Sequence, residues 1–250
     1  MKFVNLIRAH LFLILLASGL VSAGEKTSSI VFTGTETAVV VNQHSNSVSY
    51  LNLGETVEKV GEISVGLSPQ TVAYDADRQL IWVTNQGENS VSILSSTSPR
   101  RFGVIKTKAA PYGVIISNKF AFVSNQHSNL IQVYDKYNYV LIAEIRVEDK
   151  PRGLTLTSDE KWLYTTHFDS GKISKIDAQR FEVIETISLG NRAGLTQSIS
   201  IDQNEKFAYI PNTIRNTDST SLEFDTSVFP FVSIVDLENR KHLRSQRIAL

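Results

Sequence analysis

Three of the five histidines in this 250-residue chain stand in short polar runs that end apolar stretches. His44 closes Asn42-Gln43-His44, and His127 closes Asn125-Gln126-His127. Asn85-Gln86 begins a third such run, and His167 occupies the place that Asn holds in the others. Imidazole nitrogens ligate metals or move protons near neutral pH, and several converging on one face could hold a cation. Against this, the chain has no Cys and no His-x-x-x-His or His-Glu-x-x-His spacing, the local patterns that divalent metals favour. A Gly-x-Ser-x-Gly elbow, a phosphate loop and a nucleotide fingerprint are also missing, and the many carboxylates form no recognisable acid/base pair. The expectation is that these are polar loop residues, with no metal site and no catalytic group. An Asn at a strand end can bond the loop backbone two residues on, as an Asx-turn.

The spacing of these runs reveals the elements that must carry them. Ala38-Val39-Val40-Val41-Asn42, Ile81-Trp82-Val83-Thr84-Asn85, Ala121-Phe122-Val123-Ser124-Asn125, Leu163-Tyr164-Thr165-Thr166-His167 and Ala208-Tyr209-Ile210-Pro211-Asn212 align at intervals of 43, 40, 42 and 45 residues. Four residues past the first four anchors come Asn46, Asn89, Asn129 and Gly171, types that tolerate the positive φ closing a tight hairpin loop. Val48, Val91, Ile131 and Ile173 then open a returning strand. Pro69, Pro111 and Pro151 recur just ahead of a further strand, where Pro is tolerated; Gly113 and Gly153 follow two residues on and let backbones crowd at an axis, around a pocket at the top centre or simply a blade junction. Asp135, Asp177 and Asp236 end the third strand of their copies and read as turn initiators.

A period of 40 to 45 residues with several short strands per copy is the signature of an all-β β-propeller of four-stranded blades. Five blades are expected, at 29–66, 67–108, 109–149, 150–191 and 192–250. Their inner strands should open at Thr71, Gly113 and Gly153, and blade five should hold strands near Gln197–Ile201, Phe207–Ile210, Phe231–Val235 and Leu243–Ala249. The motif Tyr/Trp-Val-Thr-Asn followed by Ser-Val-Ser-Ile resembles the YVTN family of propeller repeats. Rings of this repeat commonly close with seven blades, needing roughly 290 residues. The expectation is therefore the N-terminal part of a seven-bladed propeller, an open arc whose end blades expose Val39, Val41, Ala208 and Ile210.

One insertion breaks the period. Between Asn212 and Val232 the hairpin loop gains about 14 residues over the six-step loops of the other blades, a count read from the alignment. Loops of this length on a rigid scaffold are usually functional or disordered. This one carries Arg215, Asp218, Glu223 and Asp225 beside Phe224 and Phe229, and reads as an ordered flap on the face that also bears Asn42, Gln43, His44, Asn85, Gln86, Asn125, Gln126, His127 and His167. That top face is the expected binding surface for a protein or a small molecule. The stretch Glu-Phe-Asp-Thr-Ser-Val-Phe-Pro before Phe-Val-Ser-Ile-Val-Asp-Leu resembles loops of YVTN propellers fused to c-type cytochrome domains. The resemblance implies, as an alternative, the propeller portion of a periplasmic redox protein, with haem in a further C-terminal domain and none in this chain. A lactonase-like hydrolase on a related scaffold is a third reading.

Lys2 and Arg8 precede the apolar run Leu11 to Leu20, and Val21-Ser22-Ala23 supplies small residues at a cleavage position. This is the pattern of a secretory signal peptide over 1–23, its apolar core too short to span a bilayer stably. Cleavage leaves 23 basic against 25 acidic groups, a balance that does not point to a nucleic-acid partner. Without Cys the chain has neither disulfides nor a covalent c-type haem attachment. A periplasmic or secreted module, acting by binding, is the expectation. Exported protein analysed by mass spectrometry should begin at Gly24; material that retains Met1 would refute the leader.

Overall fold

The computed structural model describes residues 27–190, 193–214, 230–244 and 248–249. The leader, 1–23, and the flap residues Arg215, Asp218, Glu223, Phe224 and Asp225 lie outside the described residues. The chain folds as five successive antiparallel sheets, the blades of a β-propeller. Blade one holds β1 (Ile30–Phe32), β2 (Thr37–Asn42), β3 (Ser47–Asn52) and β4 (Glu58–Ser64); blade two holds β5 (Pro69–Asp75), β6 (Leu80–Asn85), β7 (Ser90–Ser95) and β8 (Arg101–Lys106). Blade three holds β9 (Pro111–Ile116), β10 (Phe120–Asn125), β11 (Leu130–Asp135) and β12 (Leu141–Arg146); blade four holds β13 (Pro151–Leu156), β14 (Trp162–His167), β15 (Lys172–Asp177) and β16 (Glu182–Ser188). Each of these sheets runs in sequence order from an inner to an outer strand.

The anchor motif is the hairpin of the second and third strands. In blade two, Leu80 to Asn85 pair with Ser95 to Ser90 without a break, and β10 with β11 repeats the register. Asn46, Asn89, Asn129 and Gly171 close these loops at φ of 52, 54, 53 and 58°. At Gly171 the choice is strict, since a Cβ would stand 2.2 Å from the Ala193 carbonyl oxygen. The turn-initiating role of the aspartates holds in the same way. Asp135 accepts the Tyr137 and Asn138 amides at 2.8 and 3.1 Å, and Asp177 those of Gln179 and Arg180 at 2.9 and 2.8 Å.

The inner strands open at the prolines themselves, two residues ahead of the expected Thr71, Gly113 and Gly153. Pro69 faces Asn85 and Pro151 faces His167, each followed by a register shift before regular pairing resumes at Val72 and Leu154. The shift leaves the amide of the second residue after the proline without a ladder partner, and a hydroxyl takes it. Thr71, Gly113 and Gly153 donate their N–H to Thr84, Ser124 and Thr166 at 3.1, 2.9 and 2.9 Å. The same three hydroxyls donate onward to the carbonyls of Tyr112, Arg152 and Thr196 in the next blade, at 2.7, 2.8 and 3.1 Å. Blades two to five are thus linked hydroxyl by hydroxyl near the axis.

Between the blades, apolar side chains fill the sheet faces. Val39, Val48 and Tyr50 pack on Ile81, Val83 and Leu94 between blades one and two. Trp82 and Ile93 meet Val114 and Val123 between two and three, Phe122 and Ile131 meet Leu154 and Ile176 between three and four, and Tyr164 and Ile173 meet Ile199 and Ala208 between four and five. Burying each large side chain is worth about 1.5–3 kcal/mol. On the face opposite the anchor loops, Lys136 is buried with its ammonium 3.0 Å from Asp75 and 2.8 Å from Asp77, tying blade three to blade two.

Blade five departs from the expected four strands. Its sheet is built from β17 (Ala193–Gly194), β18 (Ser200–Ile201), β19 (Phe207–Ile214), β20 (Pro230–Asp236), β21 (Lys241–His242) and β22 (Ile248–Ala249). The hairpin runs on past the anchor, pairing Asn212 with Phe231 and Thr213 with Pro230, and β17 covers the extension. The expected outer strand is split between β21 and β22. Among the described residues no apolar cluster joins blade five to blade one. The expected exposed residues are nonetheless misplaced: Val39, Ala208 and Ile210 are fully buried and Val41 half-buried. Side chains alternate across a strand, and these face the neighbouring blade that is present; Tyr209, Pro211 and Val232 occupy the other face of blade five.

The N-terminal residues cross the axis. Thr27 exchanges hydrogen bonds with Leu154, donating its N–H to the Leu154 carbonyl at 2.9 Å and accepting at Oγ1 the Leu154 N–H at 3.1 Å. Ser28 bridges Val72 and Ser29 accepts from Val41. The strand-like segment fits because Gly113 is bare: a Cβ there would lie 2.8 Å from Thr27 Cγ2 and 2.4 Å from the Arg152 carbonyl. A Thr166→Val substitution keeps the shape of the buried side chain but leaves the Gly153 N–H and Thr196 C=O unpaired. A loss of about 1–3 kcal/mol per stranded group should appear as a lower midpoint in urea unfolding; an unchanged midpoint would show that the hydroxyl link carries no weight.

Candidate functional site

The top face gathers the loops after each second strand and the connections between blades. The two are tied together by the turn asparagines. Asn46, Asn89 and Asn129 accept at Oδ1 the backbone N–H of Ser68, Ala110 and Lys150, at 2.7, 2.8 and 3.0 Å. Those three residues precede the blade-opening prolines and are held at φ of 51, 56 and 44°. Nothing in Ser, Ala or Lys foretells a left-handed backbone; the Asn acceptor 21 or 22 positions earlier imposes it.

The anchor residues bond differently from an Asx-turn. Asn42 donates from Nδ2 to Ser47 and Ser49 at 3.1 and 2.8 Å, Asn85 to Ser90 and Ser92 at 2.9 Å each, and Asn212 to Ser233 at 2.6 Å. Asn85 also accepts the Gly66 N–H at 3.1 Å. The reach is across the hairpin, because the side chain lies inside the blade, where the serines of the returning strand point the same way. Blade three lacks these serines: Asn125 turns back to the Val123 carbonyl at 2.9 Å, and Gln132 accepts the incoming Lys108 N–H at 2.9 Å.

His167 takes over the same task. It is fully buried, with Nε2 2.8 Å from Ser174 Oγ and Nδ1 3.2 Å from the Asp149 carbonyl. Burial pushes its pKa below the ordinary 6.5, against the pull of the Asp149 carbonyl and the nearby Asp149 and Glu148 carboxylates. Asn85, Asn125 and His167 are all closed off from solvent, so they shape the loops from within and offer nothing to a ligand. Gln43, His44 and His127 are exposed, Asn42 and Gln86 half-buried and Gln126 buried. His44 and His127 do not meet His167. Among the described residues, no three His, Asp or Glu stand close enough to hold a metal ion.

A different set of residues converges at the axis. Each blade from two to five presents the side chain just after its opening position: Gln70, Tyr112, Arg152 and Gln197. The Tyr112 hydroxyl donates to Gln197 Oε1 at 3.1 Å. The Arg152 guanidinium carbon lies 3.5 Å from the Phe168 ring centroid and 4.7 Å from that of Tyr112. Its Nε donates to Gln126 Oε1 at 2.7 Å, and the Gln126 amide nitrogen lies 3.1 Å from His127 Nε2. Beside this chain opens a cleft of about 570 Å³, lined by Thr27, Gln70, Tyr112, Gln197, Tyr209 and Pro211 among others. None of its lining residues is charged. For Gln70, Tyr112 and Arg152 the sequence signal was present, as the residue following each recurrent proline, but the turn chemistry of Pro and Gly masked it; Gln197 follows Thr196 and carried no such signal.

Searches against known proteins support the fold. No family model matches the chain. It is 24% identical over 140 residues to dihydro-heme d1 dehydrogenase of Pseudomonas aeruginosa, a match covering 53% of this chain and 27% of that protein. Among solved structures it resembles hydrazine synthase of Kuenenia stuttgartiensis, with a TM-score of 0.77, 20% identity and coverage of 88% of this chain and 64% of that one. The β-propeller domain of Cps50 (Swd1) from Myceliophteria thermophila superposes with a TM-score of 0.62 and 11% identity over 87% of this chain and 85% of that one. The chain spans less than two thirds of the length of the first two.

Because His167 is neutral when folded, its linkage runs one way. Its folded pKa lies below the unfolded value, so stability is complete above about pH 6.5 and falls as pH drops toward the folded pKa, where the unfolded state binds the extra proton. His167→Asn, which restores the anchor of the other blades, should flatten that acid-side loss in urea titrations between pH 8 and pH 5. The exposed pair His44→Ala with His127→Ala should shift stability at pH 8 by less than about 1 kcal/mol. An unaltered acid profile in His167→Asn would contradict the assignment.

Proposed function

We propose that this chain is an exported, non-catalytic β-propeller module that captures its partner on the top face. The observation that carries the reading is that Gln70, Tyr112 and Gln197 line an uncharged polar cleft, with Arg152 packed on the Tyr112 ring. Cleft volumes of about 300–1,000 Å³ suit small ligands, and a few convergent polar groups fix their orientation. The exposed loop residues Gln43, His44 and His127 surround that centre and enlarge the surface available to a protein. The leader pattern of residues 1–23 supports export.

A second reading has support of its own, that the propeller serves a redox protein. One of the similar proteins carries a redox name, a dihydro-heme d1 dehydrogenase, and that name gives a haem as what it acts on. On this reading the top face would dock a haem-bearing domain or a haem-like ligand, with the cofactor supplied from outside this chain.

A photo-crosslinking side chain placed at Gln43 or His127, on the top face, should yield adducts in the native host. The same group at Asn138 or Gln179, in turns of the opposite face, should not. Adducts equally abundant from both faces, or only from the opposite one, would overturn the top-face assignment. Adducts from neither would exclude a protein partner and leave the small-molecule role.

A further inference from the structure

The outer rim changes shape where blade four meets blade five. In blades one to four a single outer strand of six or seven residues runs along the third strand. In blade five β21 holds only Lys241 and His242. The Leu243 N–H still reaches the Ile234 carbonyl at 2.8 Å, and strand pairing resumes only at β22. Beside β16, the outer strand of blade four, the interruption leaves a cleft of about 670 Å³. Residues 185–188 of β16 line one wall and residues 240–244 of blade five the other.

This cleft is basic. Arg240, Lys241 and Arg244 line it and are all exposed, against one carboxylate, Glu185. That carboxylate is already shared, with Arg240 Nε 3.5 Å from one oxygen and Lys175 Nζ 4.0 Å from the other. Among the described residues Lys241 and Arg244 form no ion pair. Single exposed cations stand on other outer strands, as at Lys106 and Arg146, but here three border one cavity. Arg244 lies over the end of β16: a Cβ on Gly190 would stand 3.6 Å from its Nη2. Ser188, in the same wall, accepts the Gly190 N–H at 3.1 Å, which leaves its hydroxyl proton to donate. His242 also lines the cleft and is buried.

The spacing sets the shape of the ligand. Arg240 sits at Glu185 and Arg244 beyond Ser188, positions at least roughly 10 Å apart along an extended strand. One oxyanion cannot occupy both ends, whereas an elongated anion with several can. Guanidinium forks pair with phosphate or carboxylate oxygens through parallel hydrogen bonds, and Lys241 adds a point charge. We infer that the rim cleft between blades four and five binds an elongated polyanion, its oxyanion groups held by Arg240 and Lys241 at one end and by Arg244 with Ser188 at the other. The site is separate from the top face and does not rest on the reading above.

The test is calorimetric titration of the whole mature chain at low salt, where exposed charges are least screened. Tripolyphosphate and tricarballylate, linear probes with several phosphate or carboxylate groups, are each compared with a one-group counterpart, orthophosphate or acetate. At least one linear probe should bind about tenfold or more tighter than its counterpart, and which one does so names the group. Lys241→Gln with Arg244→Gln should abolish that advantage, and Arg240→Gln, which leaves Glu185 to Lys175 alone, should reduce it. Lys106→Gln with Arg146→Gln removes the same two charges from β8 and β12 and should leave binding intact. The substituted side chains are all exposed, so the variants should fold, and urea unfolding checks that they do. Linear probes that bind no tighter than their counterparts, undiminished binding in Lys241→Gln with Arg244→Gln, or an equal loss in Lys106→Gln with Arg146→Gln would each overturn the inference.

Discussion

A single hydroxyl at the penultimate position of the second strand decides how one blade meets the next. Thr84, Ser124 and Thr166 each accept an N–H from their own inner strand and donate to a carbonyl of the following blade. Both backbone groups are near the axis, where water has little access and an unpaired donor or acceptor is costly. A hydroxyl can serve both because it is donor and acceptor at once. The register shift after each proline, the bare Gly113 and the close approach of successive inner strands all follow from holding this link. Blade one has Val41 and blade five Pro211 at the same position, so neither can extend the series by this means.

The axial site is a by-product of that geometry. Where the inner strands are pulled together, the residue between the opening position and the hydroxyl-bound amide cannot turn inward and is left at the top of the axis. In blades two to four it is Gln70, Tyr112 and Arg152, and Gln197 of blade five joins them through its bond from the Tyr112 hydroxyl. The loops around it are stiffened by bonds to the Asn46, Asn89 and Asn129 side chains, so the platform is set before any partner arrives. Preorganisation of this kind lowers the ordering cost of binding. Arg152 shows the effect most clearly, being fixed by Phe168, Tyr112 and Gln126 from three different segments.

His167 shows how a residue of chemical promise is absorbed by structure. An imidazole carries two nitrogens that can be satisfied in opposite directions, and here they replace the amide of the repeat's Asn, one toward Ser174 and one toward the Asp149 carbonyl. The exchange costs the protein a titratable group in its interior. Burial there lowers the His167 pKa, and the residue makes no contribution to a ligand site.

The local pattern alone determined the propeller: alternating apolar residues ending in Asn, a loop closed by Asn or Gly, and a return strand, repeated every 40 to 45 residues. These signals are short-range, since hairpin register and left-handed turn positions depend on a few adjacent residues. Leu80–Asn85 and Phe120–Asn125 were accordingly legible to the residue. The tertiary structure decided what the pattern could not carry. Whether Asn85 faces solvent or Ser92, whether Val39 faces a gap or Ile81, and whether Ala110 adopts a positive φ depend on partners some seven to forty positions away. The axial grouping of Gln70, Tyr112, Arg152 and Gln197 depends on partners up to 85 positions apart. Such proximity comes from the stacking of blades around an axis, a relation between repeats that no single repeat encodes.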